Sequence, residues 1–537
     1  MHVRTRSIIL VVIGFLVTGA LAGSLFGQRT HDADEQSIVM RSARIVSTML
    51  EWLPDREQPS ALVYDGIDGM LEKLDPHSNF LDPAAFSKMK ARQRGSFFGV
   101  GIIISMRAGK VTVIAPIAGT PAARKGLRAG DVISAIDGRS TAKMTLDDVL
   151  DHVRGPEGTV VTLTIERPGL SQPLEVSITR ARIPTNSVRY AFMLRPGVGY
   201  IRLTEFSSTS THEVHQKIEE LEHQGMHALI FDLRNNPGGS LDAAVGVADT
   251  FLKKGQLIVS TRGRTKDSNM TFTAPGTGVH FHGPLIILVN VGSASASEIV
   301  SGAIQDHDRG LLIGDVTWGK GLVQTVFTIR DTGLALTTAR YYTPSGRCIQ
   351  RDYHSYIEYI THQNANTGPP PVKTKYHTDE GRPVRGGGGI TPDIEVKARQ
   401  LNEGVAQLYG RSAFFQFAIQ LLEHVPQNRY ARFGHAFHVT PDVLSRFWKF
   451  VAAKKLLAPD RVAKVRNDRQ AMSDLRRAIT IEVLNATLGL DAGYRDMVKG
   501  DNQITAALQH LPDAVTMWNR WQQRWSKPAM AKDTDHP

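Results

Sequence analysis

The sequence predicts a multidomain α/β protein: a mixed α/β core carrying an inserted β-rich module, with helical regions toward both ends. Two observations predict it. At 537 residues the chain is too long for one ordinary core, and at roughly 100 to 200 residues per domain it divides into three or four units. Its hydrophobic periodicity also changes character several times, and between about Thr185 and Ile349 buried-type strands alternate with amphipathic helices.

Composition, at 41% hydrophobic and 21% charged, is close to the globular average, which sets aside wholesale disorder and a polytopic membrane protein. The formal charge is +11, but the basic residues are spread without a dense block, so no nucleic-acid partner is expected. The single cysteine, Cys348, excludes an intrachain disulfide and a zinc-binding cysteine cluster. It also leaves Cys/His catalysis only that one position.

Arg4 and Arg6 precede an apolar run from Ile8 to Phe26, which reads as an export signal within residues 1–28. Ala20-Leu21-Ala22 offers a small-x-small cleavage site, while the length of the run equally suits a retained single membrane anchor. Both remain open. Residues 37–93 place Ile45, Met49, Trp52 and then Val63, Ile67, Met70, Leu71 at helical spacing. Leu74-Asp75-Pro76-His77-Ser78 is turn chemistry that stops the helix.

Residues 94–183 change to short β-rich runs at 101–104, 111–114, 132–136 and 160–165, with a helix at Leu146 to Val153. Residues 184–351 form the α/β core. Strands are expected at 199–203, 228–233 and 285–289, and helices at 212–223, 240–251 and 297–305. Ligand sites in such a sheet lie beyond the carboxyl ends of its strands. Residues 352–397, with Pro369-Pro370-Pro371 and Gly386 to Gly389, read as a linker and return segment to the core. Residues 398–526 recover helical spacing, for example Leu475, Ile479, Val483 and Ala486, as a C-terminal helical domain of structural or assembly role.

Chemistry concentrates in three motifs of the core. After the strand 285–289 comes Asn290-Val291-Gly292-Ser293-Ala294-Ser295-Ala296-Ser297-Glu298, whose small side chains permit a sharp turn that exposes a hydroxyl at a helix N-terminus. Taken alone, such serines more often cap a helix than attack a carbonyl. Thr317-Trp318-Gly319-Lys320-Gly321-Leu322-Val323-Gln324 sets a lysine between two glycines, where the backbone can approach another segment. A desolvated lysine can serve as a general base, although most loop lysines are merely solvated. The spacing of a phosphate-binding P-loop is missing. In Asp232-Leu233-Arg234-Asn235-Asn236-Pro237-Gly238-Gly239 the glycines can free backbone N–H groups to face a ligand, or can form an ordinary strand-to-helix turn.

Asp-Leu-Arg-Asn-Asn-Pro-Gly-Gly, Ser-Ala-Ser-Ala-Ser-Glu and Gly-Lys-Gly-x-x-Gln, in this order, resemble the carboxyl-terminal processing peptidases, also called tail-specific proteases. The likeness extends to the segments 74–78, 95–101, 341–346 and 388–393, and covers about residues 40 to 397. It implies an exported serine endopeptidase with Ser295 as nucleophile, Lys320 as base, Gln324 orienting the lysine, and the N–H groups of Gly239 and Ala296 as oxyanion donors. Ser293 and Ser297 are read as structural, and Glu298 as favouring the helix start.

The β-rich module resembles a PDZ domain, with Phe98-Gly99-Val100-Gly101-Ile102 matching the carboxylate-binding loop and Gly126 to Ile133 its second hallmark. That resemblance implies capture of protein or peptide C-termini by strand addition. No cofactor and no metal are expected. His354, His362 and His377 lack ligand spacing, and His280 and His282 alternate on an expected strand as surface residues. The basic charge and N-terminal segment are compatible with an extracytoplasmic, periplasmic enzyme that associates with the membrane, and the helical ends with a homo-oligomer or an adaptor partner. Competing readings are a PDZ scaffold with an inactive core and a Ser/His/Asp protease. The sequence holds both candidate catalytic residues, and no Gly-x-Ser-x-Gly elbow surrounds Ser295.

Overall fold

A computed structural model describes residues 37–52, 59–353 and 376–526. The expected export segment and His354 and His362 therefore lie outside the described residues. The chain separates into two units, one of residues 1–86 with 325–337 and one of residues 87–324 with 338–537.

In the smaller unit, helices at 37–52 and Pro59–Leu71 lead into the turn at Asp75. Asp75 accepts hydrogen bonds from the N–H groups of His77 and Ser78 at 2.8 and 2.9 Å and from the Thr337 hydroxyl at 3.0 Å. One carboxylate thus ties a helical turn to a strand distant in sequence. The short strand Asn79–Leu81 pairs antiparallel with residues 333–335.

The larger unit begins with the β-rich module. Its main sheet runs in the order Ile102–Arg107, Lys110–Pro116, Val132–Ile136, Val160–Glu166, Leu174–Thr179. Val161, Leu163 and Ile165 alternate inward to meet Val113, Ile133, Ile136 and the helix residue Val149. The helix Leu146–Val153 starts on a Thr145/Asp148 capping box. The strand Ile102–Arg107 is an edge of this sheet; of the residues expected as a loop before it, Phe98 and Gly99 end the strand Ser96–Gly99, paired antiparallel with Ala181–Pro184, and only Val100 and Gly101 form the connection.

The core sheet has six strands in the order Val188–Arg195, Val198–Leu203, Ala228–Asp232, Leu285–Val289, Leu311–Gly314, Ile394–Glu395. Its first pair is antiparallel and the other four are parallel. Ala228–Asp232 and Leu285–Val289 are buried throughout; Ala228–Phe231 and Leu285–Val289 are the continuous apolar runs of a sheet covered on both faces. On one face lie the helices Ser210–His223, Leu241–Asp249 and Ala296–Asp306.

The other face differs from expectation. Tyr200, Ile230, Ile286, Leu288 and Ile313 pack against Tyr494, Val498, Ile504, Leu511 and Met517. The last C-terminal helices therefore complete the core of the α/β sheet. A separate helical core forms between about Val405 and Ile479, around Phe414, Phe447 and Leu475. The segment expected as a linker and return to the core adds, at Ile394–Glu395, the last parallel strand of the sheet. His280 and His282 flank the buried Phe281 on a segment without strand pairing, where a strand was expected.

Candidate active site

Ser295 begins the helix Ala296–Asp306 directly after a strand-to-helix turn, with φ +54° and ψ −112°. A positive φ in a residue with a side chain is uncommon and marks a backbone held by its surroundings. The holding bonds are explicit. Ser293 donates its hydroxyl to the Leu233 carbonyl at 2.8 Å, and Ser297 donates to the Asn236 carbonyl at 2.9 Å. The Ala294 N–H also donates to Asn236, at 3.0 Å. Both serines flanking Ser295 are fully buried and fasten its turn to the segment Asp232–Gly239.

That segment comes against Ser295 closely enough to require glycine. A Cβ on Gly238, which has φ +97°, would lie 2.8 Å from the Ser295 Cβ and 2.9 Å from the Ala296 nitrogen. A Cβ on Gly239 would overlap the Phe206 carbonyl at 2.0 Å. The Asn236 side chain accepts from the Gly238 N–H and donates to the Leu203 carbonyl, both at 2.9 Å, and so sets the course of the glycine pair.

Lys320 arrives on the turn before the strand Leu322–Ile329. Its flanking glycines are needed for close approach: a Cβ on Gly321 would lie 2.3 Å from the Gln350 nitrogen, and one on Gly319 2.8 Å from the Arg351 Cβ. The Trp318 N–H donates to the Ser293 carbonyl at 2.9 Å, tying the lysine loop to the serine turn. The Lys320 Nζ donates to the Gln324 Oε1 at 3.4 Å.

The residue that joins these loops is Glu298, read from sequence only as favouring the helix start. It is fully buried. Its Oε2 accepts the N–H groups of Ser295 at 2.8 Å and Lys320 at 2.9 Å. Its Oε1 accepts the Gly319 N–H at 2.7 Å and the Thr317 hydroxyl at 2.5 Å. Burial pushes its carboxyl above the usual carboxylate value, and the four donors pull the other way. The sequence signal was its place three residues into the helix after Ser295, the capping-box position, but that pattern reports one local bond and not the other three.

The arrangement gathers the parts an acyl-transfer site needs. A hydroxyl stands at a helix N-terminus, a glycine pair lies against it, and a lysine is fixed to the same carboxylate that holds the hydroxyl's backbone. Among the described residues no group of three or more His, Cys, Asp or Glu could hold a metal ion.

At the β-rich module, Phe98 is 43% exposed and Val100 is fully buried, so Val100 can offer a ligand only its backbone. Gly101 has φ +81°, and a Cβ there would lie 2.3 Å from the Thr120 Cβ. Ile102 opens the edge strand beside this loop. In the second hallmark, Asp131 is buried in a two-pronged pair with Arg167, at 2.7 and 2.8 Å.

Residues 197–357 match peptidase family S41, and residues 112–167 match a PDZ domain. A carboxy-terminal-processing protease of Bartonella bacilliformis is 40% identical over 356 residues, covering 64% of this chain and 80% of that protein. A carboxyl-terminal-processing protease of Synechocystis is 40% identical over 298 residues, covering 54% and 68% respectively. Among solved structures, a photosystem II D1 C-terminal processing protease is 32% identical, covers 65% of this chain and 85% of its own, and gives a TM-score of 0.35.

Proposed function

The chain belongs to the carboxyl-terminal processing proteases, serine peptidases of family S41, and from that premise we propose that it cuts peptide bonds with a Ser295/Lys320 dyad. The Ser295 oxygen attacks the scissile carbonyl as Lys320 takes its proton. The N–H groups of Gly239 and Ala296 receive the developing oxyanion. Collapse expels the amine, protonated by Lys320, and water then hydrolyses the acyl-enzyme by the same route. Gln324 holds the lysine amine through the 3.4 Å contact.

The observation that carries this reading is the shared carboxylate of Glu298, which receives the backbone N–H groups of both Ser295 and Lys320. Nucleophile and base are thereby referred to one buried anchor. Capture of substrate C-termini by the PDZ domain is supported by the edge strand at Ile102 and the Val100–Gly101 turn preceding it. Residues 1–28 are assigned to export, which puts the enzyme in an extracytoplasmic, periplasmic compartment at or near the membrane.

Cleavage of an unfolded protein tests the dyad. Wild type should cut it, while Ser295→Ala and Lys320→Ala should be folded and inert. Activity surviving in Ser295→Ala removes the nucleophile assignment, and an inert wild type favours a scaffold or a need for an activating partner. Fractionation of cells expressing the chain with and without residues 1–28 tests export, which fails if both forms remain cytoplasmic.

A further inference from the structure

The loop that approaches Ser295 begins at a buried charge cluster whose far side belongs to the C-terminal helices. Asp232 ends its strand with 0% exposure, and its carboxylate accepts from the Arg234 Nε at 3.0 Å and the Arg234 Nη2 at 2.6 Å. The Tyr200 hydroxyl donates to the same carboxylate at 2.6 Å and lies 2.8 Å from the hydroxyl of Tyr494. The remaining arm of Arg234 reaches away from the sheet. Its Nη1 donates to Asp501 Oδ2 and to Gln503 Oε1, both at 2.7 Å. Gln503 in turn donates to the Val396 carbonyl at 2.7 Å, on the segment that follows the last strand of the sheet.

Asp501 does two separable things with its two oxygens. Oδ1 caps the helix Asn502–Gln509 by accepting the N–H groups of Gln503 and Ile504, while Oδ2 takes Arg234. Arg234 stands five residues before Gly239, and between them Asn235 is held at φ +56°. A guanidinium fixed on one side by Asp232 and on the other by Asp501 leaves the start of this loop little freedom. If the Asp501 side lets go, Arg234 remains a buried cation with part of its bonding lost, and it must re-seek partners by moving the loop.

We infer that Asp501 and Gln503 are positioning residues for the oxyanion loop, acting through Arg234, so that the C-terminal helices set the geometry of the peptidase site. The inference rests on the assignment of Gly239 as an oxyanion donor to Ser295 chemistry. It gives residues 490–526 a part in turnover beyond covering the sheet.

The full chain carrying Asp501→Asn keeps an oxygen for the helix cap but turns an amide N–H toward Arg234. Asp501→Ser keeps a capping oxygen and removes the contact without repulsion. With an unfolded protein as substrate, well below the unfolding temperature, both variants should lose about tenfold in kcat, with KM changed by less than about twofold. A residue that only supports the fold lowers the unfolding temperature and leaves kcat per folded molecule unchanged. The inference is overturned if both variants retain wild-type kcat while Ser295→Ala is inert. If Ser295→Ala keeps activity, it is instead the underlying site assignment that fails, and this inference falls with it.

Discussion

Exchanging Glu298 for glutamine removes half of the acceptor capacity at the centre of the site without changing its shape. The carboxylate holds four donors, from Ser295, Lys320, Gly319 and Thr317, at 2.5–2.9 Å. Glutamine supplies one oxygen for two of them and turns an amide NH2 against the other two. A buried donor left unpaired costs about 1–3 kcal/mol, so two such losses come to roughly 2–6 kcal/mol. If only about 2.7 kcal/mol of this falls on the alignment of Ser295 with Lys320, kcat drops about 100-fold. The assay is steady-state cleavage of an unfolded protein, alongside circular dichroism and denaturant unfolding of the same preparation. The expected result is a folded, less stable variant with kcat down about 100-fold and KM little changed. A cooperatively folded Glu298→Gln enzyme with kcat within about threefold of wild type would refute the shared-anchor argument.

Gly238→Ala, which forces a Cβ against Ala294, Ser295 and Ala296 at 2.7–2.9 Å, should cost at least about tenfold in kcat with the fold retained; unchanged turnover would mean the loop can retreat without harm. Gly101→Val, at φ +81° and against Thr120, should weaken binding of a peptide with a free C-terminal carboxylate, and fluorescence titration that finds unaltered affinity would remove this loop from recognition. Burial works to lower the pKa of His307, but its bonds to Asp379 and the Leu257 carbonyl outweigh this and raise it above the ordinary 6.5. Its stabilising effect is therefore complete below the unfolded value and is lost as pH rises through the folded one. Denaturant titrations across that range should show a steeper decline for wild type than for Asp379→Asn, and parallel profiles would contradict the assignment.

The core strands were readable because a strand covered on both faces is apolar without interruption, as in Leu285–Val289, and that is a local property. The glycines around Lys320 and beside Pro237 were visible as permissive backbone, and the order of the three motifs carried the family likeness. Sequence could not say what the glycines approach. That Gly238 meets Ser295, and Gly321 meets Gln350, depends on chain segments brought together only by the fold.

Glu298 shows the limit most clearly. Its sequence position reports a helix start, whereas its burial and the bonds from Thr317, Gly319 and Lys320 come from a loop about twenty residues away, which no helical periodicity encodes. The C-terminal helices repeat the lesson at larger scale. The helical spacing read there, as in Leu475, Ile479 and Val483, declares apolar stripes that must be covered, since exposed apolar surface is costly in water. It does not name the surface that covers them. The sequence alone determined the main core strands and helices and the chemistry of the loops; only tertiary structure decided that these helices close the second face of the catalytic sheet and hold Arg234, because burial is a property of pairs of surfaces and a sequence displays one at a time.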